Sequence, residues 1–175
     1  MQGITEVGLI VEEARLTDTA GVAAIDAWVR AHPASTPFQR PGWIMGVEHG
    51  TGQKARMLVA RLGSQIVGVL PLTYIRSMLF GRALVGSGFA VDGGILTTHR
   101  KAGEMLADAA WTLAEKLGCA TLELRGGEAP AGLAWQAKPT PISAFRARLP
   151  PTMKRNSRLS PSATAPKSAK ASPTT

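Results

Sequence analysis

The stretch from residue 56 to residue 72, RMLVARLGSQIVGVLPL, decides the fold that the sequence predicts. Two apolar runs flank Gly63-Ser64, and glycine supplies the positive φ that a tight reversal needs, so the pattern predicts a β-hairpin. The second run is apolar at almost every position, which is typical of a strand covered on both faces of its sheet. We therefore predict that Val67 and Val69 are buried and that the other elements cover or extend this hairpin.

The other elements are indicated by hydrophobic periodicity and by glycine and proline. Pro41 suits the first turn of a helix, and Asp18 or Thr19 suits an N-cap. The residues 76–82 are predicted to form a basic loop. The predicted elements are a strand at 7–14, helices at 20–31 and 42–49, the hairpin prolonged to 75, extended pieces at 83–85 and 89–91, a helix from 98 or 99 to 117, and strands at 119–125 and 142–149.

The strongest helix carries one apolar stripe and ends at Gly118, where a left-handed C-cap is expected. The stripe is Ala102, Met105, Leu106, Ala109, Leu113 and Leu117. In the strand that follows, Ala120, Leu122 and Leu124 are predicted to face the core. The element order predicts an α+β fold, in which helices pack on a mixed, mostly antiparallel sheet.

Composition separates the chain into a body and a tail. Five of the 20 basic residues lie beyond residue 149, where there is no acidic residue and where Ser, Thr, Pro, Ala and Lys dominate. We predict a folded domain over residues 1–150 and a disordered basic tail over residues 151–175. The net charge of +8 belongs mostly to that tail, which argues against a nucleic-acid groove on the body.

Cysteine usage and hydropathy predict a cytoplasmic protein. The single cysteine, Cys119, excludes a disulfide framework and a thiolate metal cluster. No apolar run approaches the roughly 20 residues of a membrane span. The first residues lack the basic start of a signal peptide. We expect Cys119 to be a small core residue rather than a reactive thiol.

Motifs with a defined chemistry are few. The sequence has no nucleophile elbow, Walker loop, metal-spaced histidine pair or CxxC. His32, His49 and His99 fall at predicted helix ends or in loops, where capping or exposed roles are typical. The stretch 86–94, GSGFAVDGG, precedes the strongest helix, and glycines before a helix N-terminus can bind an anion. Bulged or bent strands have the same composition, and we favour that structural interpretation.

Two further groups of side chains are singled out by the sequence. Glu123 and Arg125 share one strand face, where a surface ion pair explains them. Phe38, Arg40 and Trp43 cluster in a proline-bounded loop and helix start. They form either a staple onto the core or one wall of a cleft.

The element order and the pattern LVARLGSQIVGVLPL resemble the GNAT-type acyltransferase fold. Separated motifs are similar, more specifically, to the FemAB-related proteins, in particular the subgroup associated with exosortase/PEP-CTERM and exopolysaccharide loci. These motifs are WVRAHPASTPFQRPGW (28–43), GVLPLTYIRSMLFGRALV (68–85), FAVDGG (89–94) and LGCATLELR (117–125).

The resemblance implies acyl or aminoacyl transfer to an amine. In the peptidoglycan-bridge enzymes of this family the donor is aminoacyl-tRNA and the acceptor is a cell-wall precursor peptide. We expect a cell-envelope precursor or an exopolysaccharide-related amine as acceptor, charged tRNA or acyl-CoA as donor, and no metal or permanently bound cofactor. The resemblance assigns no catalytic residue. It places acceptor contacts at Trp43, Arg76, Arg82, Phe89, Asp92, Gly93 and Gly94, with Asp92 standing where this subgroup is expected to carry an aromatic residue.

Members of this family contain two GNAT-like halves, and this chain resembles the first. We therefore expect the C-terminal half to be a missing partner. We also expect the chain alone to be a truncated half-enzyme that shows no turnover and binds acetyl-CoA poorly.

We predict that the tail is a frameshift product. The resemblance stops at Leu149-Pro150-Pro151, where family members continue with an acidic stretch, then Ile-Pro and a basic run resembling RKxRAxVRKGI. Codons for residues 151–172, read from their third base, permit a sequence close to that continuation. Sequencing of the locus tests this, because the shifted frame must be open and must encode a second GNAT-like half.

Two alternatives stay open. A self-sufficient GNAT acetyltransferase using acetyl-CoA would need a phosphate-gripping loop directly before the helix. Here residues 95–98 intervene after the last glycine, and no QxxGxG/A pattern is present. A non-catalytic module, whose basic tail binds RNA or another anionic polymer, would lose salt-dependent binding when residues 151–175 are deleted.

Overall fold

The computed structural model describes residues 8–79 and 81–127, and its elements follow the predicted order. The predicted strand at 142–149, the tail and its frameshift lie outside the described residues. The elements are β1 (Leu9–Glu13), α1 (Thr19–Ala31), a short 3-10 helix (Pro37–Gln39), α2 (Pro41–Thr51), β2 (Lys54–Leu62), β3 (Gln65–Ser77), β4 (Gly81–Gly86), β5 (Leu96–Thr97), α3 (Arg100–Lys116) and β6 (Thr121–Glu123).

The strands form one sheet in the order β1-β2-β3-β4-β6, and β5 pairs with β3 in addition. Every pairing is antiparallel except that of β4 with β6, which is parallel. The predicted α+β class, with a mostly antiparallel sheet flanked by helices, is confirmed. The β2–β3 hairpin lies at its centre, and Gly63 makes the turn with φ +59°.

Each face of the hairpin belongs to a separate hydrophobic core. On one face, which we call the α3 core, Leu58, Leu70 and Leu72 pack with Leu106 of α3. On the other face lies a second core, which we call the α1–α2 core. It consists of Ile25, Val29, Ile44, Met57, Val59, Val69 and Leu96. The prediction of a strand covered on both sides is therefore confirmed.

A β-bulge at Val67 reverses the alternation of β3. Ala60 pairs with Gly68 and Arg61 pairs with Ile66, so Val67 is an extra residue without a partner in β2. Beyond the bulge, Ile66 packs on the α1–α2 core and Val67 packs on the α3 core. Val69 is fully buried as predicted. The prediction for Val67 is wrong, because the bulge leaves this side chain half-buried.

The buried face of α3 is made mainly of small residues. Its buried residues are Ala102, Gly103, Leu106, Ala107, Ala110 and Ala114, whereas Met105, Ala109 and Leu113 of the predicted stripe are half-buried at its flank. The predicted stripe is therefore rotated. Small side chains let α3 approach the sheet closely, and a Cβ on Gly68 would meet Leu106 at 3.0 Å.

The end of α3 agrees with the predictions, whereas the next strand departs from them at one position. Gly118 has φ +65°, as expected of a left-handed C-cap. Cys119 is half-buried against the α3 core, and this burial raises the pKa of its thiol, which suits an inert residue. Ala120 is exposed and not in the core as predicted, because β6 begins only at Thr121.

Two further predictions of local structure are wrong, one of a loop and one of an extended piece. The basic loop predicted at 76–82 is a hairpin turn, since Arg76 belongs to β3, Arg82 belongs to β4, and the two residues pair directly. The piece predicted as extended at 89–91 is not a strand, because Phe89 has φ +65° and the chain turns there.

Glu48 joins the end of α2 to the start of β2. Its Oε1 accepts a hydrogen bond from Lys54 Nζ at 2.8 Å, and its Oε2 accepts one from the Ala55 amide at 2.9 Å. The bond from Lys54, more than that from the amide, lowers the pKa of the Glu48 carboxyl below its ordinary value. A carboxyl whose folded pKa is lowered contributes stability above its unfolded pKa, and this is lost as the pH falls through the folded pKa.

We expect Glu48→Gln to lower Tm by about 2 °C at neutral pH, as the loss of one partly exposed ion pair predicts. The difference from the parent should start to shrink as the pH falls below the ordinary pKa of 4.5, and it should disappear only below the lowered folded pKa, where the carboxyl of the folded parent also becomes neutral. Thermal melts followed by circular dichroism across that range measure it. Asp108→Asn, an exposed carboxyl on α3, is the matched control and should show a smaller effect.

Candidate functional site

The candidate site is built on a nine-residue excursion, residues 87–95, that interrupts a strand. β4 and β5 both pair with β3 on the same side, since Leu72 pairs with Gly86 and Val69 pairs with Leu96. The chain leaves the sheet after Gly86 and returns to it at Leu96. We call residues 87–95 the excursion.

Short contacts hold the base of the excursion against β3. The Ser87 amide donates to the Pro71 carbonyl at 3.0 Å, and the Gly88 amide donates to Thr73 Oγ1 at 3.0 Å. A Cβ on Gly88 would lie 2.6 Å from Thr73 Cβ, so only glycine fits at this position.

Ser87 links the excursion to the loop between α1 and α2. Its buried hydroxyl donates to the Phe38 carbonyl at 2.6 Å and lies 3.0 Å from the Gly93 carbonyl. Ser87 and Phe89 both have positive φ, at +43° and +65°, which is uncommon for residues other than glycine. Phe89 is held in this conformation while 61% of it is exposed. Such backbone strain clusters at functional sites.

Trp43 lies against the excursion. Its indole Nε1 donates to the Gly88 carbonyl at 3.3 Å, and its ring lies edge-on to Phe38 with centroids 4.7 Å apart. Trp43 also packs on the α1–α2 core. The interpretation of this cluster as a staple onto the core is therefore confirmed, whereas its interpretation as a cleft wall stays a prediction. Arg40 points elsewhere and forms a bidentate ion pair with Asp26, at 2.8 and 3.0 Å.

The far end of the excursion lies tightly against the segment after β6. The Asp92 carboxylate accepts from the Gly93 amide at 2.6 Å. A Cβ on Gly94 would overlap the Gly126 carbonyl oxygen, and one on Gly126 would overlap the Asp92 carboxylate. Glycine is therefore required where these two segments touch.

Arg125 connects β6 to the excursion. Its Nε donates to Glu123 Oε1 at 2.7 Å, which confirms the predicted ion pair, and its Nη1 donates to the Ala90 carbonyl at 3.1 Å. The contact of Arg125 with the Ala90 carbonyl is not indicated by the sequence. The spacing of Glu123 and Arg125 indicates the ion pair, but no local pattern indicates a partner 35 residues away.

The structure brings together five of the seven predicted site residues. Trp43, Phe89, Asp92, Gly93 and Gly94 all lie on or against the excursion.

Arg76 and Arg82 do not belong to this group. Their pairing lies four residues along the strands from that of Leu72 and Gly86, which corresponds to about 13 Å. The prediction grouped them with the excursion because it treated 76–82 as a loop, whereas the β3–β4 turn holds them at the opposite end of the strands.

The histidines near the site have structural roles. His32 Nδ1 accepts from the Ala34 amide at 3.2 Å, so its Nε2 carries the proton and donates to the Thr97 carbonyl at 3.3 Å. His99 is the N-cap residue of α3, and its amide donates to Thr97 Oγ1 at 3.0 Å. Both ring nitrogens of His32 are therefore engaged, which leaves neither of them free as a base.

The start of α3 is a less complete anion site than a glycine loop would give. The helix begins at Arg100, two residues separate it from the end of β5, and residues 95–99 separate it from Gly94. The side chains of Arg100 and Lys101 lie in its first turn, and each contacts Glu104. A helix N-terminus generally favours a phosphate group, but none of the residues 95–99 that precede this helix is a glycine.

Two kinds of feature, metal sites and membrane-spanning helices, are absent from the part of the chain that the structure describes. In residues 8–79 and 81–127, no cluster of His, Cys, Asp and Glu has the make-up of a metal site. Within the same residues, no helix combines the length and the apolar character that crossing a bilayer requires.

The fold is similar to that of solved acetyltransferase structures. Ribosomal-protein-alanine N-acetyltransferase from Brucella melitensis biovar Abortus 2308 matches with 15% identity over 79% of this chain and 100% of its own, at a TM-score of 0.50. A GNAT family acetyltransferase from Staphylococcus aureus matches with 11% identity over 81% and 99%, at 0.48. A predicted acetyltransferase with acetyl-CoA from Clostridium acetobutylicum matches with 11% identity over 67% and 81%, at 0.41.

One of these comparisons establishes a class of fold. The match to the Brucella structure shows that the chain has a GNAT-like fold, as the resemblance of its sequence implies. The sequence matches no protein-family model and no curated protein. The resemblance to the FemAB-related subgroup therefore rests on the quoted sequence motifs alone.

Proposed function

We propose that this protein is an N-acyltransferase, which moves an acyl group from an acyl-CoA co-substrate to an amine at the excursion. The observation that supports this most is the GNAT-like fold, together with an interrupted strand whose excursion carries a partly exposed carboxylate.

The acceptor side of the proposal rests on Asp92. It is the one acidic residue of the excursion, it is partly exposed, and one of its oxygens is occupied by the Gly93 amide. The other oxygen is placed to hold an ammonium group by a charge-assisted hydrogen bond. Trp43 lies against the excursion and Phe89 is an exposed residue of it, and their apolar surface suits an amine carried on a larger acceptor.

The proposed reaction joins the acceptor nitrogen to the acyl carbonyl carbon. As the N–C bond forms, the C–S bond of the thioester breaks and coenzyme A leaves as the thiolate. The bound ammonium group first passes one proton through the free oxygen of Asp92 to solvent, which frees the nitrogen lone pair for attack. After the N–C bond forms, the nitrogen loses a second proton to the same oxygen, and that proton passes to the leaving thiolate. The phosphates of coenzyme A would lie toward the first turn of α3, near Arg100 and Lys101.

Binding and turnover test this proposal. We expect micromolar binding of acetyl-CoA by calorimetry and acylated product by mass spectrometry with a panel of primary amines. Asp92→Asn should lower kcat/KM about 100-fold, as the loss of a general base does. The control Asp108→Asn changes a carboxyl on the outer face of α3 and should retain full activity. Absence of both binding and turnover with acyl-CoA donors would contradict the proposal.

A FemAB-type half-enzyme is the second candidate. It is favoured by the separation of Gly94 from α3, because the helix then lacks a glycine loop to grip pyrophosphate. In this case the donor is aminoacyl-tRNA, and the acceptor is a cell-envelope or exopolysaccharide-related amine. The chain alone should be inactive and should bind no acetyl-CoA. Transfer from charged tRNA should appear when a second GNAT-like half is supplied.

A further inference from the structure

The turn between β3 and β4 projects two apolar side chains into solvent. Met78 is fully exposed and 82% of Leu79 is exposed, more than any other large hydrophobic residue that the structure describes. Single exposed apolar residues are ordinary on protein surfaces. Two adjacent ones at the tip of a turn, with an arginine on each strand behind them, form an unusual arrangement.

A basic cavity lies directly behind this tip. It has a volume of about 540 Å³, and its lining includes Lys54, Tyr74, Arg76 and Arg82. None of the described residues that line it is acidic. The cavity therefore presents positive charge beside the two exposed apolar side chains.

The two arginines face each other across the β3–β4 strand pairing, and this arrangement does not favour folding. Arg76 and Arg82 lie directly opposite each other on β3 and β4, and like charges at opposed positions destabilise a sheet. Arg82 Nη1 donates to the Leu117 carbonyl at 3.4 Å, at the C-terminus of α3. Lys54 is paired with Glu48.

Arg76 differs from both of these neighbours. Its guanidinium has no hydrogen bond or ion pair within the described residues, although its backbone bonds with Gln53. Arg76 is exposed, opposed by another cation and without a partner among the described residues, so its guanidinium is free to bind an external anion.

We propose that the β3–β4 turn is a docking site for the surface of an anionic lipid bilayer. Met78 and Leu79 enter the interface between headgroups and acyl chains, and the Arg76 guanidinium binds a headgroup phosphate at the mouth of the cavity. The charges and the apolar tip together select this occupant. A soluble phosphate compound would leave Met78 and Leu79 exposed, and an apolar protein groove would leave the arginine pair without a counter-charge.

The docking site is distinct from the proposed acyltransferase site, at the other end of the same strands. Binding there would hold the protein at a membrane surface while the excursion stays accessible. The inference stands without the proposed function, because it uses none of the residues of the excursion.

Co-sedimentation of the full chain with vesicles tests the proposal. We expect binding to vesicles that contain phosphatidylglycerol and little binding to phosphatidylcholine alone. Arg76→Glu should reduce the partition coefficient tenfold or more, since each basic residue near an anionic surface changes partitioning roughly fivefold. The matched control Arg30→Glu makes the same charge change at an exposed residue of α1 and should have a much smaller effect.

The apolar contribution is tested separately. Met78→Ser with Leu79→Ser should also weaken vesicle binding about tenfold, whereas Ile10→Ser with Met45→Ser, which alter exposed apolar residues elsewhere, should not. Circular dichroism confirms that each variant is folded.

Three results would overturn the proposal. One is the absence of binding to anionic vesicles. Another is equal binding by the turn variants and their controls, which would assign the effect to net charge or to the basic tail. The third is Arg76-dependent binding of glycerol phosphate in solution with no sensitivity to Met78 and Leu79, which would identify a small-anion site instead.

Discussion

Val69→Asp should abolish cooperative folding or lower the free energy of unfolding by about 4 kcal/mol, because it places a carboxylate without a partner in the α1–α2 core. Val69 is fully buried and packs with Val29, Ile44 and Val59 from three other elements. Denaturant unfolding followed by far-ultraviolet circular dichroism measures the change.

The matched control for this variant is Ile10→Asp. Ile10 also lies on a strand of the sheet, but half of it is exposed, so the new carboxylate stays hydrated. It should cost less than about 1 kcal/mol, which is the usual range for surface substitutions. Equal stabilities for the two variants would show that the hairpin is not the centre of the fold.

Gly94→Ala should have the second largest effect. The added methyl group overlaps the Gly126 carbonyl oxygen, a backbone atom that cannot rotate away as a side chain can. The two segments must separate, and we expect a loss of about 2–3 kcal/mol of stability, as for overpacked sites. If the proposed function holds, transferase activity should fall more steeply than stability, because Asp92 moves with its neighbours.

Gly46→Ala serves as the control for this substitution. Gly46 lies in α2, and a Cβ there would meet no atom within 4 Å. Alanine should therefore be neutral or should stabilise the helix by about 0.5–1 kcal/mol. A Gly94→Ala protein as stable and active as Gly46→Ala would contradict the close contact between the excursion and the segment after β6.

Much of the fold was predictable because its signals are local. Alternating apolar residues around Gly63 predict the hairpin, and Gly118 predicts the end of α3. Asp18 is the N-cap of α1, where its carboxylate accepts from the Ala20 amide at 3.1 Å. Each of these features depends on residues within a few positions of one another, so one sequence is enough to find them.

The features that the sequence did not reveal depend on distant contacts. The bulge at Val67 is stabilised by β5 and the start of α3, about thirty residues further along the chain. The segment 87–95 contains glycines that suit a bent strand, but it lies against Phe38 and Gly126 instead. Likewise, the separation of Arg76 from Asp92 follows from strand register, which composition does not encode.

The backbone carbonyl of Val67 accepts several hydrogen bonds, and these affect which parts of the protein unfold together. It accepts from the Thr97 hydroxyl at 2.8 Å, the Thr98 amide at 3.0 Å and the Thr98 hydroxyl at 3.3 Å. The residues that lead into α3 are thus hydrogen-bonded to the hairpin at its bulged residue. We therefore expect fluctuations that unpair β3 at this point to loosen the first turn of α3 as well, so that the amides of the two should exchange together in a hydrogen-exchange measurement.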